Sequence, residues 1–147
     1  MTRFKRYALL TIFCVLATST AISQETKQVD DDSPVYELRT YTTHPGRLDA
    51  LHRRFRDHTM KLFEKHGMEN VIYWTPLDED GAPSDDTLIY LLRHKSRNDA
   101  ARSWQAFRED PQWLEARRRS EEDGPIVQKV TAVFLKPTEF SPSLSAR

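Results

Sequence analysis

The sequence predicts an α+β fold in which strands and helices follow one another in the order β-α-β-β-α-β. This is the ferredoxin-like arrangement, with helices on one face of an antiparallel sheet. The main observation is that the spacing of apolar residues switches between a period of about two and a period of about 3.6 along the chain. Proline and glycine pairs separate these segments, and a length of 147 residues suits a single domain.

The first predicted strand, residues 35–42 (VYELRTYT), is rich in β-branched and aromatic residues and ends before Pro45-Gly46. Because successive side chains of a strand point to opposite faces, the strand divides into two sets. One face carries Tyr36, Leu38 and Thr40, and the other carries Val35, Glu37, Arg39 and Tyr41.

A long amphipathic helix is predicted over residues 47–66, with Gly67 at the position that commonly ends a helix. Its apolar stripe follows helical spacing, and charged residues lie opposite it. The stripe consists of Leu48, Leu51, Phe55, Thr59, Leu62 and His66.

The middle of the chain predicts a β-hairpin. Its strands are residues 70–77 (NVIYWTPL) and 87–94 (TLIYLLRH), and the turn-rich loop between them covers residues 78–86 (DEDGAPSDD). This loop is longer than a tight hairpin turn.

A second helix is predicted to begin at Ser96, with Asp99 completing a variant of the capping box. Asp110-Pro111 interrupts this helix and restarts it, with the aspartate as N-cap. The continuation, residues 112–122, is expected to turn Trp113 and Leu114 inward. The fourth strand is predicted at residues 126–135 (IVQKVTAVFL).

The predicted sheet has apolar residues on the face that the helices leave uncovered. On the last strand, one register presents Val127, Thr131, Val133 and Leu135. A second copy of the chain packing sheet to sheet would cover this face, so the pattern predicts a homodimer.

The N-terminus has the layout of a secretory signal peptide, predicted at residues 1–23. A basic start (MTRFKRY) precedes an apolar run of about ten residues and a small-residue exit. The run is shorter than the roughly 20 residues that cross a bilayer, so no stable membrane anchor is expected after cleavage. A segment that stays uncleaved and anchors the chain is the alternative. Cys14 is removed with the signal, which leaves a mature chain without cysteine. We expect an exported protein, periplasmic or extracellular.

The remaining segments divide the mature chain into a disordered leader at residues 24–34, a domain at residues 35–138 and a flexible tail at residues 139–147. The formal net charge of the whole chain is zero. No basic excess is present to favour a nucleic-acid partner.

Two stretches resemble landmarks of the NIPSNAP family. YELRTYTTHPGRLDALHRRF resembles the strand, Pro-Gly turn and helix that open the family's domain, and RNDAARSWQAFREDPQWLEA resembles its interrupted second helix. The resemblance implies a dimeric α/β barrel, in which two ferredoxin-like sheets face each other. It implies no particular reaction, because the family has no established common one. This chain also departs from the family at the third strand, where Leu91 or Leu92 replaces a frequent tryptophan.

Histidines are the first candidates for chemistry. His52 and His58 flank the apolar stripe of the first helix, where an imidazole can serve as a general base, as a haem ligand or as a half-buried packing residue. No two helix histidines have the spacing of three or four residues that lets them share a metal ion, so no metal site is predicted. No cofactor is predicted either.

Aromatic residues, Tyr90 among them, form the second candidate set. They are suited to line a pocket for a small, flat, apolar ligand. The alternative is that they are ordinary strand and core residues. The candidate pocket residues, together with the two histidines and Arg93 at the end of the third strand, are Tyr36, Tyr41, Tyr73, Trp74 and Trp104.

Charged residues inside the predicted barrel are the third candidate set. Glu37 and Arg39 share a strand face, and buried charges persist in proteins when they are paired. We expect an ion pair of Glu37 with Arg39 or Arg93 that fixes the dimer register. A catalytic carboxylate at Glu37 is the other role open to it.

Two functions therefore remain open. The first is a dimeric barrel that binds a small apolar molecule or acts as a structural or interaction module. The second is a cofactor-light monooxygenase or haem-related enzyme that uses His58 with tyrosine or tryptophan neighbours on an aromatic or apolar substrate. The residues do not decide whether the protein is an enzyme.

Overall fold

The structure, a computed structural model, describes residues 33–142. The predicted signal peptide, nearly all of the predicted leader and the last residues of the tail lie outside this range. Within it, the elements in chain order are β1 (Val35–Thr43), α1 (Leu48–Arg54), a π-helical turn (Phe55–Thr59), α2 (Met60–Lys65), β2 (Glu69–Trp74), β3 (Thr87–His94), α3 (Arg97–Glu109), α4 (Pro111–Ser120) and β4 (Val127–Leu135). No helix in residues 33–142 has the length and apolar character needed to cross a membrane.

The four strands form one antiparallel sheet in the order β2-β3-β1-β4, which confirms the predicted ferredoxin-like fold. β1 lies inside the sheet and pairs with β3 on one side and β4 on the other. β2 and β4 are the edge strands. The chain must cross over the sheet between β1 and β2 and again between β3 and β4, and the helices make these two crossings.

The helices cover one face of the sheet, which we call the helix-covered face. It carries Glu37, Arg39 and Tyr41 of β1, because Tyr41 contacts Phe55 of the π turn and Glu37 contacts Trp104 of α3. The opposite side is the open face. Strand register places these apolar side chains on it: Leu38, Ile72, Trp74, Ile89, Leu91, Val133 and Leu135.

Val127, which we predicted on the open face, lies on the helix-covered face instead. A β-bulge between Thr42 and Thr43 shifts the pairing, so that Thr43 lies opposite Val127 while Thr42 lies opposite Lys129. The extra residue turns Val127 toward the helices, where it packs against the core. Lys129, Thr131, Val133 and Leu135 keep the open face that strict alternation assigns to them.

Aromatic rings dominate the core between the sheet and the helices. Phe55 lies 5.2 Å from Tyr90 between ring centroids, and Phe63 lies 4.9 Å from Phe107. Edge-to-face and offset pairs of this kind stabilise a core by about 0.5–1.5 kcal/mol beyond the area they bury. The core therefore fixes the first helix and α3 firmly on β3.

The first helix is not the uninterrupted α-helix that we predicted over residues 47–66. Residues Phe55–Thr59 form a π-helical turn, within which the Thr59 hydroxyl donates a hydrogen bond to the Arg54 carbonyl oxygen at 3.1 Å. A π turn inserts extra chain into the helix and rotates the residues after it about the helix axis. As a result Phe63, which was not on the predicted stripe, is fully buried. Arg54, directly before the turn, is also buried.

The predicted helix caps are confirmed. The Ser96 hydroxyl accepts a hydrogen bond from the Asp99 backbone N–H at 3.0 Å, and the Asp110 carboxylate accepts one from the Gln112 N–H at 2.8 Å. Leu114, however, is 51% exposed, so its predicted inward position is wrong. It lies about 100° around the helix from Trp113, which packs on the core instead.

The second strand is shorter than its sequence pattern indicated. β2 ends at Trp74, and Leu77 makes only an isolated bridge to Pro83. Pro76 lacks the backbone N–H that a continuing strand would need, which explains the early end.

Candidate functional site

A buried carboxylate occupies the helix-covered face of the sheet. The Glu37 side chain is 2% exposed and accepts three hydrogen bonds. Arg39 Nη1 donates to one carboxylate oxygen at 2.6 Å. His94 Nε2, at 2.9 Å, and Trp104 Nε1, at 2.6 Å, donate to the other. The carboxylate thereby joins β1, β3 and α3.

These partners keep the carboxylate ionised. Burial alone raises the pKa of Glu37, but hydrogen bonds from His94 and Trp104 and the charge of Arg39 outweigh burial and hold the pKa below its ordinary value of 4.5. A carboxylate that is satisfied by three protein donors is poorly placed to take a proton from a substrate. The geometry therefore favours the structural role of Glu37 over the catalytic one.

Arg39 is held between aromatic rings in the same cluster. Its guanidinium carbon lies 4.2 Å from the centroid of the Trp104 ring and 5.6 Å from that of Tyr41. Cation–π contacts of this kind stabilise an arginine that has lost much of its water. Arg39 Nε and His94 Nδ1 are buried without a hydrogen-bond partner in residues 33–142, so the cluster is not fully satisfied.

The Glu37–Arg39 pair lies on the helix-covered face and not on the face that we expected to meet a dimer partner. Strand alternation put the two residues on one face, but it did not say which face the helices would cover. Arg93 does not contact Glu37. It lies on the open face, where its Nη1 donates to Glu69 at 2.8 Å.

A cleft of about 250 Å³ lies where the first helix crosses the ends of β2 and β3. The Tyr73 ring stacks on Tyr90 at 5.3 Å, and its hydroxyl donates to the Asn70 amide oxygen at 2.5 Å. Burial and the nearby Glu64 raise the pKa of Tyr73, so its phenol stays neutral. The cleft is lined by His52, Phe55, Arg56, Met60, Tyr73, Trp74, Thr75 and Leu88.

The structure separates the eight predicted pocket residues into four places. His52, Tyr73 and Trp74 line the cleft described above. Tyr41 and Trp104 surround Arg39, while Tyr36 and Arg93 lie opposite each other on the open face. His58 is exposed, and it lines a groove between the first helix and α4.

Metal ligands do not come together in the part of the chain that the structure describes. Within residues 33–142, no group of three or more histidine, aspartate, glutamate or cysteine side chains is arranged to hold an ion.

Comparison with known proteins shows which family has this fold and the two sequence landmarks. The NIPSNAP family model matches residues 36–142, which is most of the chain. The chain belongs to the NIPSNAP family. No protein of curated function matches its sequence.

Solved structures of other NIPSNAP proteins share the fold of this NIPSNAP domain. An uncharacterized NIPSNAP-like domain protein from Burkholderia xenovorans is similar, with a TM-score of 0.64 and 19% identity, over 78% of this chain and 93% of that one. A NIPSNAP family protein of unknown function from Agrobacterium tumefaciens has a TM-score of 0.61 and 24% identity, over 76% of this chain and 94% of that one.

One residue of the NIPSNAP domain's buried cluster, His94, escaped the sequence-based candidates, whereas the neighbouring Tyr90 was among the aromatic ones. His94 ends β3 and Tyr90 lies four residues before it, so both share the face that the helices cover. A period of two through Tyr90, Leu92 and His94 was the available signal. It could not be used alone, because the carboxylate that binds His94 comes from a strand 57 residues away.

We expect Trp104→Phe to destabilise the domain by about 1.5–3 kcal/mol, because it removes a hydrogen bond to a buried charged group. Trp113→Phe is the matched control, since the Trp113 ring also packs on Phe107 but its indole nitrogen makes no hydrogen bond within residues 33–142. Urea unfolding of both variants measures the difference. Equal losses of stability would show that the Trp104–Glu37 bond contributes nothing.

Proposed function

We propose that this NIPSNAP domain is an exported homodimeric module that binds a small, flat, apolar molecule in the cleft beside Tyr73. The observation that carries the proposal is the composition of that cleft. Phe55, Met60, Tyr73 and Leu88 provide apolar walls, and His52 provides a polar group beside them. Small-molecule sites have this character, with mostly apolar surfaces and a few polar groups that fix orientation.

The size of the cleft sets the class of ligand. Its volume of about 250 Å³ is slightly below the roughly 300–1,000 Å³ of most ligand sites, so only a small ligand fits. Tyr73 is stacked on Tyr90 and hydrogen-bonded to Asn70, so this wall is rigid before any ligand arrives. A rigid aromatic wall favours a planar ligand, because little side-chain entropy is lost on binding.

The open face of the sheet supports the homodimer. Val133 is 54% exposed and Leu135 is 43% exposed, and both are on the edge strand β4. Ile72 and Trp74, on the other edge strand, are also exposed. An apolar surface that extends across a whole sheet is costly in water, and a second copy offers a surface of the same shape and character. We therefore propose that two open faces pack together.

The proposed location outside the cytoplasm depends on the sequence of residues 1–23, which lie outside the described range. Removal of that segment would deliver a chain without cysteine. Such a domain cannot be stapled by disulfides, so its stability depends on the aromatic core and on the Glu37 cluster.

The second candidate function, a monooxygenase or haem-related enzyme, relied on His58 with aromatic neighbours. His58 is exposed, and none of the residues that line its groove is aromatic. His52 is the histidine that shares a cleft with Tyr73 and Trp74. Any such enzyme would therefore have to use His52, and we place this function behind ligand binding.

We expect 2-naphthol, a planar apolar probe, to bind in the cleft and to shift the backbone NMR signals of His52, Met60, Tyr73 and Leu88. Met60→Trp should abolish these shifts, because the larger side chain fills the cleft. Leu114→Trp adds the same ring at an exposed position and should leave binding intact. Unchanged binding by Met60→Trp would place the ligand elsewhere.

We expect the mature chain to sediment as a dimer at micromolar concentration. Val133→Asp should shift it toward monomer, because the carboxylate would be buried without a partner between the two sheets. Val130→Asp is the matched control, since Val130 is similarly exposed on the other face of the same strand. A monomeric wild-type chain, or equal effects of both variants, would contradict packing through the open face.

A further inference from the structure

A second concave surface lies on the outer side of the helices, away from the sheet. Two cavities of about 350 and 310 Å³ adjoin there, and both are lined by Asp57, His58, Ala116 and Arg119. We call them together the helix groove. It runs between the first helix and α4, and its combined size is within the range of small-molecule sites.

One end of the groove is apolar at its base. Leu62 of α2 and Ala116 of α4 are both largely buried there. The small side chain of Ala116 leaves the space between the two helices open. Polar side chains of Lys61, Gln112 and Glu115 line its sides. This end suits an aliphatic chain.

The other end is rich in arginine. Arg47, Arg53 and Arg54 line it, together with Arg119. Arg47 Nη2 donates to the carbonyl oxygens of Ser120 and Gly124 at 3.2 and 3.0 Å, so its partners carry no charge. Arg53 forms no ion pair within residues 33–142.

The remaining charges near this end are partly engaged with each other. Arg54 forms an ion pair with Glu121 at 2.9 Å, and Arg119 forms one with Glu115. Asp57 and Asp123 also line the arginine-rich end, and neither forms an ion pair in the described part of the chain. Four arginines therefore face two carboxylates within the cavity wall itself.

Two of the arginines are also incompletely satisfied. The Nε groups of Arg47 and Arg54 are buried and have no hydrogen-bond partner in residues 33–142. Leaving a charged donor unpaired is costly, and such groups in native proteins call for an explanation. The π turn contributes to the arrangement, because it begins directly after Arg54 and places Asp57 and His58 in the groove. π turns occur frequently at functional sites.

We propose that the helix groove binds an amphiphile with an anionic head group, with the head at the arginine-rich end and an aliphatic chain over Leu62 and Ala116. The site is separate from the cleft beside Tyr73. The two are lined by different residues, so either can fail without the other. A guanidinium group can hold a carboxylate, sulfate or phosphate head through paired hydrogen bonds.

Decanoate, used below its micelle concentration, is the probe, and calorimetry on the mature chain measures binding. Shortening the chain to octanoate should weaken binding about fifteenfold, because two methylene groups leave the groove. Decanol should bind far more weakly than decanoate. Arg53→Gln should weaken decanoate binding about threefold, a change typical of removing an exposed charge. Arg108→Gln, an exposed arginine of α3 that lines neither cavity of the groove, is the matched control.

The outcomes test the aliphatic part, the anionic part and the location of the site one at a time. Equal affinity of acetate and decanoate would overturn the aliphatic part, and equal affinity of decanol and decanoate would overturn the anionic part. Equal losses in Arg53→Gln and Arg108→Gln would overturn the placement in this groove. Loss of decanoate binding in Met60→Trp would assign the probe to the cleft beside Tyr73, and it would also overturn the placement in the helix groove.

Discussion

The fold depends on one buried carboxylate. Glu37 lies near the start of β1, and its oxygens hold Arg39 of the same strand, His94 of β3 and Trp104 of α3. Burying a charge is costly unless it is paired and hydrogen-bonded, so the buried carboxylate needs all three donors. Removing a single partner would leave the carboxylate under-satisfied in a place that water cannot reach. Sheet and helix are thereby held in one relative position.

This position of α3 explains how the rest of the surface is divided. Trp104 of α3 covers Arg39 of β1. On the next strand, β4, the residue beside Arg39 is Ala132, and it is exposed, so the cover of α3 ends between the two strands. The helices therefore cover β1, β2 and β3 and leave β4 with apolar residues exposed on both sides, Val130 on one and Val133 on the other. The cleft beside Tyr73 lies at the opposite edge of the sheet, and the helix groove lies on the outer side of the helices.

Sequence periodicity predicted the order of elements, the caps at Ser96 and Asp110 and the grouping of Glu37 with Arg39, because these depend on neighbours a few residues apart. It could not predict the π turn, since the side chains that are buried after it, such as Phe63, pack on residues far away in sequence, such as Phe107. It could not decide which sheet face the helices cover or that His94 meets Glu37. The eight predicted pocket residues lie in four places for the same reason, because a shared aromatic or polar character does not bring residues together in the fold.

Glu37 is ionised in the folded domain because three donors stabilise its charge, and a titration of this one side chain tests that directly. Its carboxyl carbon can be followed by ¹³C NMR as the pH is lowered, with Glu37→Gln identifying the signal. We expect a midpoint below the ordinary 4.5. The stabilisation is then present above that ordinary value and is lost as the pH falls through the folded-state midpoint. A midpoint above 4.5 would mean that burial outweighs the donors, and it would contradict the role given to them here.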